Sequence, residues 1–245
     1  RLKDAFGEAQ AFARNPNVYD FGRSEDSLLT RSDAEALVDV IEGRTPAMIS
    51  VDRASDIRAA LTLKEDYPRM RMILLGAAEG WLVADEIAAA GVPVITTPMQ
   101  NLPSRFESIA STQSNAGRLV AAGVQVALSD IGNSTVSPRL AQEAGQTVAQ
   151  GRIPGAAGLT HEQALAAITS VPADILGLEA GRLTTGAAGD VVVWDGDPLE
   201  TRSAPTAVFI DGVRQPMTSR QTELRDRYNP AAAETNLPPQ YSRSR

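Results

Sequence analysis

Ala47-Met-Ile-Ser-Val51 stands directly ahead of Ser55-Asp-Ile57 and the helically spaced Ala59, Ala60, Leu61 and Leu63. A short apolar run introduced by Pro46 reads as a buried strand, and apolar residues three and four apart read as one face of a helix. The same couple recurs three times downstream. Met72-Ile-Leu-Leu75 precedes a helical segment from Glu79 to Ala90, Val92-Pro-Val-Ile95 one from Ser108 to Ala122, and Val124-Gln-Val-Ala-Leu128 one from Arg139 to Gln150. Gly91, Gly123 and Gly151 follow three of these helices, where a left-handed residue is expected to end the helix. Continuous apolar strands alternating with amphipathic helices predict an α/β fold with four βα units and a parallel sheet, buried on both faces where it is complete.

Outward from this block the pattern changes. Upstream, Leu2 to Arg14 has helical spacing. Downstream, Thr160 to Ser170 and then Pro172 to Leu176 read as helices. Asp190-Val-Val-Val-Trp194, Ala207-Val-Phe-Ile210 and Val213 read as strands, with Asp211-Gly212 as a two-residue hairpin turn. From Gln215 the chain is polar and rich in proline, a segment expected to wrap over a surface or fray. An opening on Arg1 without a basic n-region and an apolar h-region gives no signal peptide and suggests a processed chain or a fragment.

Composition excludes several classes. The 245 residues carry 30 acidic and 23 basic side chains, a net charge of −7, which argues against nucleic-acid and anionic-membrane partners. No apolar run approaches the roughly 20 residues that span a bilayer, so a soluble protein is expected, its compartment undecided. The absence of cysteine excludes disulfides, iron–sulfur clusters, thiolate zinc sites and a cysteine nucleophile. A single histidine, His161, cannot by itself build a histidine-rich metal centre.

Several motifs in order then resemble a known family. Ala164-Leu-Ala-Ala-Ile-Thr169, Pro172-Ala-Asp-Ile-Leu-Gly-Leu178, Gly181-Arg-Leu183 and Gly186-Ala-Ala-Gly-Asp-Val-Val-Val-Trp-Asp-Gly-Asp-Pro-Leu-Glu200 are similar to the C-terminal signature of the amidohydrolase superfamily, more narrowly its imidazolonepropionase-like branch. Val51-Asp-Arg-Ala-Ser-Asp-Ile57 resembles the fifth barrel strand and its helix, Leu75-Gly-Ala-Ala-Glu-Gly-Trp81 the sixth strand, and Ala122-Gly-Val-Gln-Val-Ala-Leu-Ser-Asp130 the eighth. The resemblance runs from Gly43 to Tyr241. It implies the C-terminal half of a (β/α)8 barrel over residues 1–180, strands of a small β-sandwich over 181–214, and a polar extension over 215–245. Family members are nearly twice as long, so the implied missing part is the N-terminal half, with its paired His-x-His ligands.

The resemblance also implies zinc, and it assigns Asp130 as the ligand that takes a proton from the attacking water. Two further ligand positions are occupied by Ser50 and Gly76 in place of histidine. A serine hydroxyl is a poor neutral ligand and glycine offers none. Without metal, nothing lowers the pKa of water from about 16 towards about 7. This chain alone is therefore expected to bind no zinc and to be hydrolytically inactive. It reads as a portion of a hydrolase of carbon–nitrogen bonds, in non-peptide or dipeptide amides, that needs the N-terminal barrel half or an equivalent chain in a homo- or hetero-oligomer. The alternative is a metal-free pseudoenzyme or a small-molecule-binding or assembly subunit.

Each candidate residue has a structural reading beside the functional one. Asp130 can be a turn residue opening the loop Ile131 to Ser137. Arg53 and Asp56 can orient a substrate carboxylate or amide, or can form an ion pair capping the following helix. Glu79 can line the pocket or simply favour a helix N-terminus. Trp81 reads as packing, and Thr160-His-Glu-Gln163 as a capping box. Gly155-Ala-Ala-Gly158 and Gly186-Ala-Ala-Gly189 lack the lysine and hydroxyl of a phosphate loop and read as turns. Asn133-Ser-Thr135 fits a glycosylation sequon.

Overall fold

The computed structural model describes residues 1–17, 28–99, 103, 105–130 and 139–228. The loop Ile131 to Ser137, with its sequon, lies outside the described residues. Helix α1 (Leu2–Arg14) buries Phe6, Ala9 and Phe12 along one face and packs on α2 (Arg31–Ile41). Thr30 starts α2 with a capping box: its hydroxyl accepts from the Asp33 amide while Asp33 accepts from the Thr30 amide. The Phe6 ring meets Tyr67 edge to face at 5.3 Å, fastening α1 to the segment around Tyr67.

The four predicted βα units are present. They comprise β1 (Ala47–Val51) with α3 (Ala54–Asp66), β2 (Met72–Gly76) with α4 (Ala84–Ala89), β3 (Val94–Thr96) with α5 (Asn115–Ala121), and β4 (Val126–Leu128) with α6 (Leu140–Gln150). The strands lie in the order β1-β2-β3-β4, all parallel, with Val51 opposite Gly76, Leu74 opposite Val94 and Thr96 opposite Leu128. This sequential parallel arrangement is that of a partial TIM-like fold.

Two helices are shorter than their periodicity predicts. The Glu79–Ala90 segment begins as a 3-10 turn, Gly80–Val83, where a β-carbon on Gly80 would lie 3.3 Å from that of Ala77. The Ser108–Ala122 segment is helical only from Asn115. A 3-10 turn, Phe106–Ser108, precedes it, and the Ser114 amide donates to the Thr112 hydroxyl, the competition that Ser and Thr side chains offer to helical backbone bonds. Gly91 and Gly123 are left-handed as expected, but Gly151 is not, with φ −62. The close approach here falls on Gly158, where a β-carbon would overlap the Gly151 nitrogen and the Thr147 carbonyl.

One face of the sheet, with Met72, Leu74, Val94, Val126 and Leu128, is buried in the main core with the helices. The opposite face is not open to water throughout, contrary to what four strands of an unclosed sheet lead one to expect. Helices α7 (His161–Ala167) and α8 (Ser170–Leu176) follow α6, and α8 lays Val171, Ile175 and Leu176 over Ile73, Leu75, Ile95 and Ala127. The cover does not reach Met48 on β1, which is 49% exposed.

A separate antiparallel sheet holds β5 (Val191–Trp194), β6 (Pro205–Ile210) and β7 (Val213–Arg214). Its β6–β7 hairpin turns on Asp211 and Gly212, both left-handed, the conformation a type I′ turn requires. The polar extension is not irregular from its start: Arg220–Tyr228 forms α9, which buries no residue. No helix among the described residues is long and apolar enough to cross a membrane.

Leu74 lies at the centre of β2 with no exposed surface. Leu74→Ala is expected to cost about 2–5 kcal/mol, seen as an earlier urea midpoint. Met48→Ala, on the exposed edge, should change stability by no more than about 0.5 kcal/mol.

Candidate functional site

Parallel strands direct their C-terminal ends to one side, and the loops that follow them meet there. Residue 50, where the resemblance places a histidine, is an exposed serine near the end of β1. Residue 76 ends β2 with φ +89, and a β-carbon on it would lie 2.5 Å from Asp52 Oδ1 and 3.3 Å from the Val51 carbonyl. Position 76 is therefore held as glycine both by its left-handed backbone and by a neighbouring carboxylate.

That carboxylate, Asp52, is buried. Its Oδ1 accepts the Ala78 amide at 3.3 Å and its Oδ2 is paired with the Arg105 guanidinium. Its own carbonyl accepts the Glu79 amide at 2.9 Å. Glu79 is buried as well, and it does not act as a helix-opening charge: the 3-10 turn takes no side-chain cap from it. Its Oε2 accepts the Ala54 amide at 3.0 Å and its Oε1 the Ala110 amide at 3.0 Å, so one side chain bridges the loops after β1 and β3. Asn115 completes the frame, accepting from the Trp81 amide and donating to the Ala77 carbonyl. Trp81 does pack: its indole N–H donates to the Ala110 carbonyl and the Arg118 guanidinium lies 4.3 Å over its ring.

Arg53 and Asp56 do not form the expected helix-capping pair. Arg53 occupies the N-cap position of α3 without a side-chain cap, and its guanidinium lies 3.9 Å from Glu107. Asp56 is exposed in the first turn of α3, where Ser55 donates to it at 3.2 Å. It lines an apolar groove with Leu2, Ile49, Val51 and Leu63. Asp130 follows β4 and is partly exposed. Glu143 of α6 is its electrostatic neighbour. Burial first, and then the Asp130 charge, raise the Glu143 pKa above the usual carboxylate value, while Arg139 acts in the opposite direction.

Residues 27–219 match the sequence profile of the Amidohydrolase family. The chain belongs to the amidohydrolase family. Over 60 residues it is 47% identical to the amidohydrolase tasK of Hapsidospora irregularis, a match that spans 24% of this chain and 6% of that protein. Its fold is similar to that of an amidohydrolase from Thermotoga maritima, with a TM-score of 0.74 at 24% identity over 89% of this chain and 55% of the other. A prolidase solved with N-methylphosphonate-L-proline gives a TM-score of 0.53 at 19% identity over 74% of this chain and 48% of the prolidase. This amidohydrolase chain thus spans about half the length of the solved structures it resembles.

The amidohydrolase family is typically metal-dependent, and the residues present do not fit a zinc ion at the ends of β1 and β2. Ser50 offers a neutral hydroxyl, Gly76 has no room for a side chain, and among the described residues no three His, Asp or Glu side chains group as a metal site. His161 is occupied elsewhere. Thr160 and Gln163 form the expected capping box around it, and its Nε2 lies 2.8 Å from Asp197 Oδ2. The Leu199 amide and then His161 hold the Asp197 carboxyl below the usual carboxylate value. Arg105 and Asn115, which sequence reasoning did not single out, are the partners that shape the site. No local motif marks them, since Arg105 lies 53 residues from Asp52.

Two outcomes follow from this geometry. Glu79→Ala leaves the Ala54 and Ala110 amides unpaired and should cost about 1–3 kcal/mol for each that remains buried, measured by urea unfolding. Glu143, with its raised pKa, contributes stability that is full at low pH and is lost as pH rises through that pKa. Asp130→Asn should lower the Glu143 pKa part of the way towards its ordinary value, burial being the larger cause, as read by a carboxyl carbon NMR titration.

Proposed function

We propose that this chain is the C-terminal portion of an amidohydrolase-type barrel acting on carbon–nitrogen bonds, in non-peptide or dipeptide amides, and that it works only against a complementary N-terminal barrel half. The observation that carries this reading is the edge of β1. Among the described strands β1 pairs with β2 alone, so its other edge carries backbone groups with no strand partner, and a closed barrel has no such edge. Beside that edge lies an apolar groove of about 320 Å³, bounded by Leu2, Ile49, Val51, Ala60 and Leu63. A preceding βα unit would pair its strand with β1 and set its helix in this groove. The β5–β7 sheet supports the same reading, because Val192, Ile210 and Val213 are exposed on one of its faces and suit the remaining strands of a β-sandwich like that of the imidazolonepropionase-like branch.

In the assembled protein, Asp130 accepts a proton at the end of β4, and Arg53 offers a planar fork to a substrate carboxylate. Glu79, with both oxygens engaged by amides, positions the loops around the substrate, and Asp56 lies towards the groove at the β1 edge. The crowding at Gly76 favours one further reading, in which the assembled protein is a metal-free binder of small molecules rather than a hydrolase.

Light scattering and amide-hydrolysis assays on the purified 245-residue chain test the proposal. The chain alone should aggregate or form a tight oligomer, and should not turn over dipeptides or cyclic amides in the presence of zinc. A monomer with one cooperative unfolding transition, or turnover by the isolated chain, overturns it. Recovery of turnover on adding the complementary half supports the hydrolase; its absence in a well-formed complex supports the metal-free binder.

A further inference from the structure

The ends of β1 and β2 are not merely short of two imidazoles; they are closed by other side chains. Asp52 Oδ1 fills the space that any side chain at position 76 would enter, and the Gly76 backbone is left-handed. Asp52 Oδ2 is paired with Arg105, whose side chain is more than half exposed while that of Asp52 is buried. The segment that carries Arg105 is tied across the same place twice more, by the Arg53–Glu107 pair and by the Ala110 amide on Glu79.

We infer that the Asp52–Arg105 ion pair takes the place of a metal at the ends of β1 and β2. A carboxylate withdrawn from water needs a compensating positive charge and hydrogen-bond donors. A metal ion is one source of that charge; here a guanidinium supplies it, with a planar geometry suited to a carboxylate. The two solutions exclude one another. A histidine at 76 requires the Asp52 carboxylate to shift, and that shift weakens the bonds it accepts from the Ala78 amide and Arg105. The pair thus excludes metal from these two strand ends and latches residues 105–110 over them. Every residue involved belongs to this chain, so the inference stands whether or not a second barrel half exists.

Hydrogen-exchange mass spectrometry on the full chain tests the latch in any oligomeric state. Arg105→Gln is expected to speed exchange across residues 106–111 about tenfold, Arg105→Lys less, and the double variant Asp52→Asn/Arg105→Gln no more than Arg105→Gln alone. Gly76→Ala should speed exchange across residues 76–79 in the native background, and several-fold less when Asp52 is also changed to alanine. Cobalt(II) titration of the native chain, followed by visible absorption, should show no bound-metal band that depends on Asp52. Unchanged exchange in Arg105→Gln, an equal effect of Gly76→Ala in both backgrounds, or stoichiometric cobalt binding abolished by Asp52→Ala overturns the inference. None of these outcomes depends on whether the chain is a monomer, so they are separable from failure of the half-barrel reading.

Discussion

A parallel sheet leaves the C-terminal end of each strand to its own loop, and the hydrogen-bond ladder supplies no link between one loop and the next. In this chain buried carboxylates add that link beside a few backbone bonds such as the Glu79 amide on the Asp52 carbonyl. Glu79 receives one amide from the loop after β1 and another from the loop after β3, while Asp52 receives one from the loop after β2. Bonds from amides to an ionised acceptor are stronger than neutral ones, and they justify the burial of two acidic groups that would otherwise be costly. Three loops that share no strand partner are thereby held in one arrangement, and Asn115 adds a fourth tie from the start of α5.

The distribution of apolar surface follows from the same architecture. Helices cover one face of the sheet, and α8 folds back over the strands on the other. Cover thins towards β1, where Met48 is exposed and the groove beside Ile49 and Val51 opens. The small antiparallel sheet presents apolar residues to water as well, and a three-stranded sheet without packing on a face is marginal in isolation. These two surfaces, far apart in the sequence, are two of the places among the described residues where apolar side chains remain uncovered.

Much of the fold was legible in the residues, because the strands of the parallel sheet are short, mostly apolar runs and several of the helices are amphipathic repeats. Helix α1 matches its predicted bounds, all four βα units are in place, and the capping box at Thr160 and the hairpin at Asp211-Gly212 form as their local chemistry dictates. The misreadings have causes both near and far along the chain. Gly80 and Gly158 answer to backbone and side chains brought in by the fold, and Ser114 and Thr112 divert a helix that hydrophobic spacing alone would extend. The sequence points to Glu79 as a candidate but not to its task, since its acceptor role depends on amides 25 and 31 residues away. Arg105 is illegible for the same reason.

The crowding between Gly76 and Asp52 also bears on how such a chain can change by mutation. A substitution that places an imidazole at position 76 meets a left-handed backbone and an occupied space before it gains any ligand. Relief requires Asp52 to change too, which leaves Arg105 a cation without its acid. Positions 52, 76 and 105 therefore constrain one another, and their side chains are expected to vary together rather than singly.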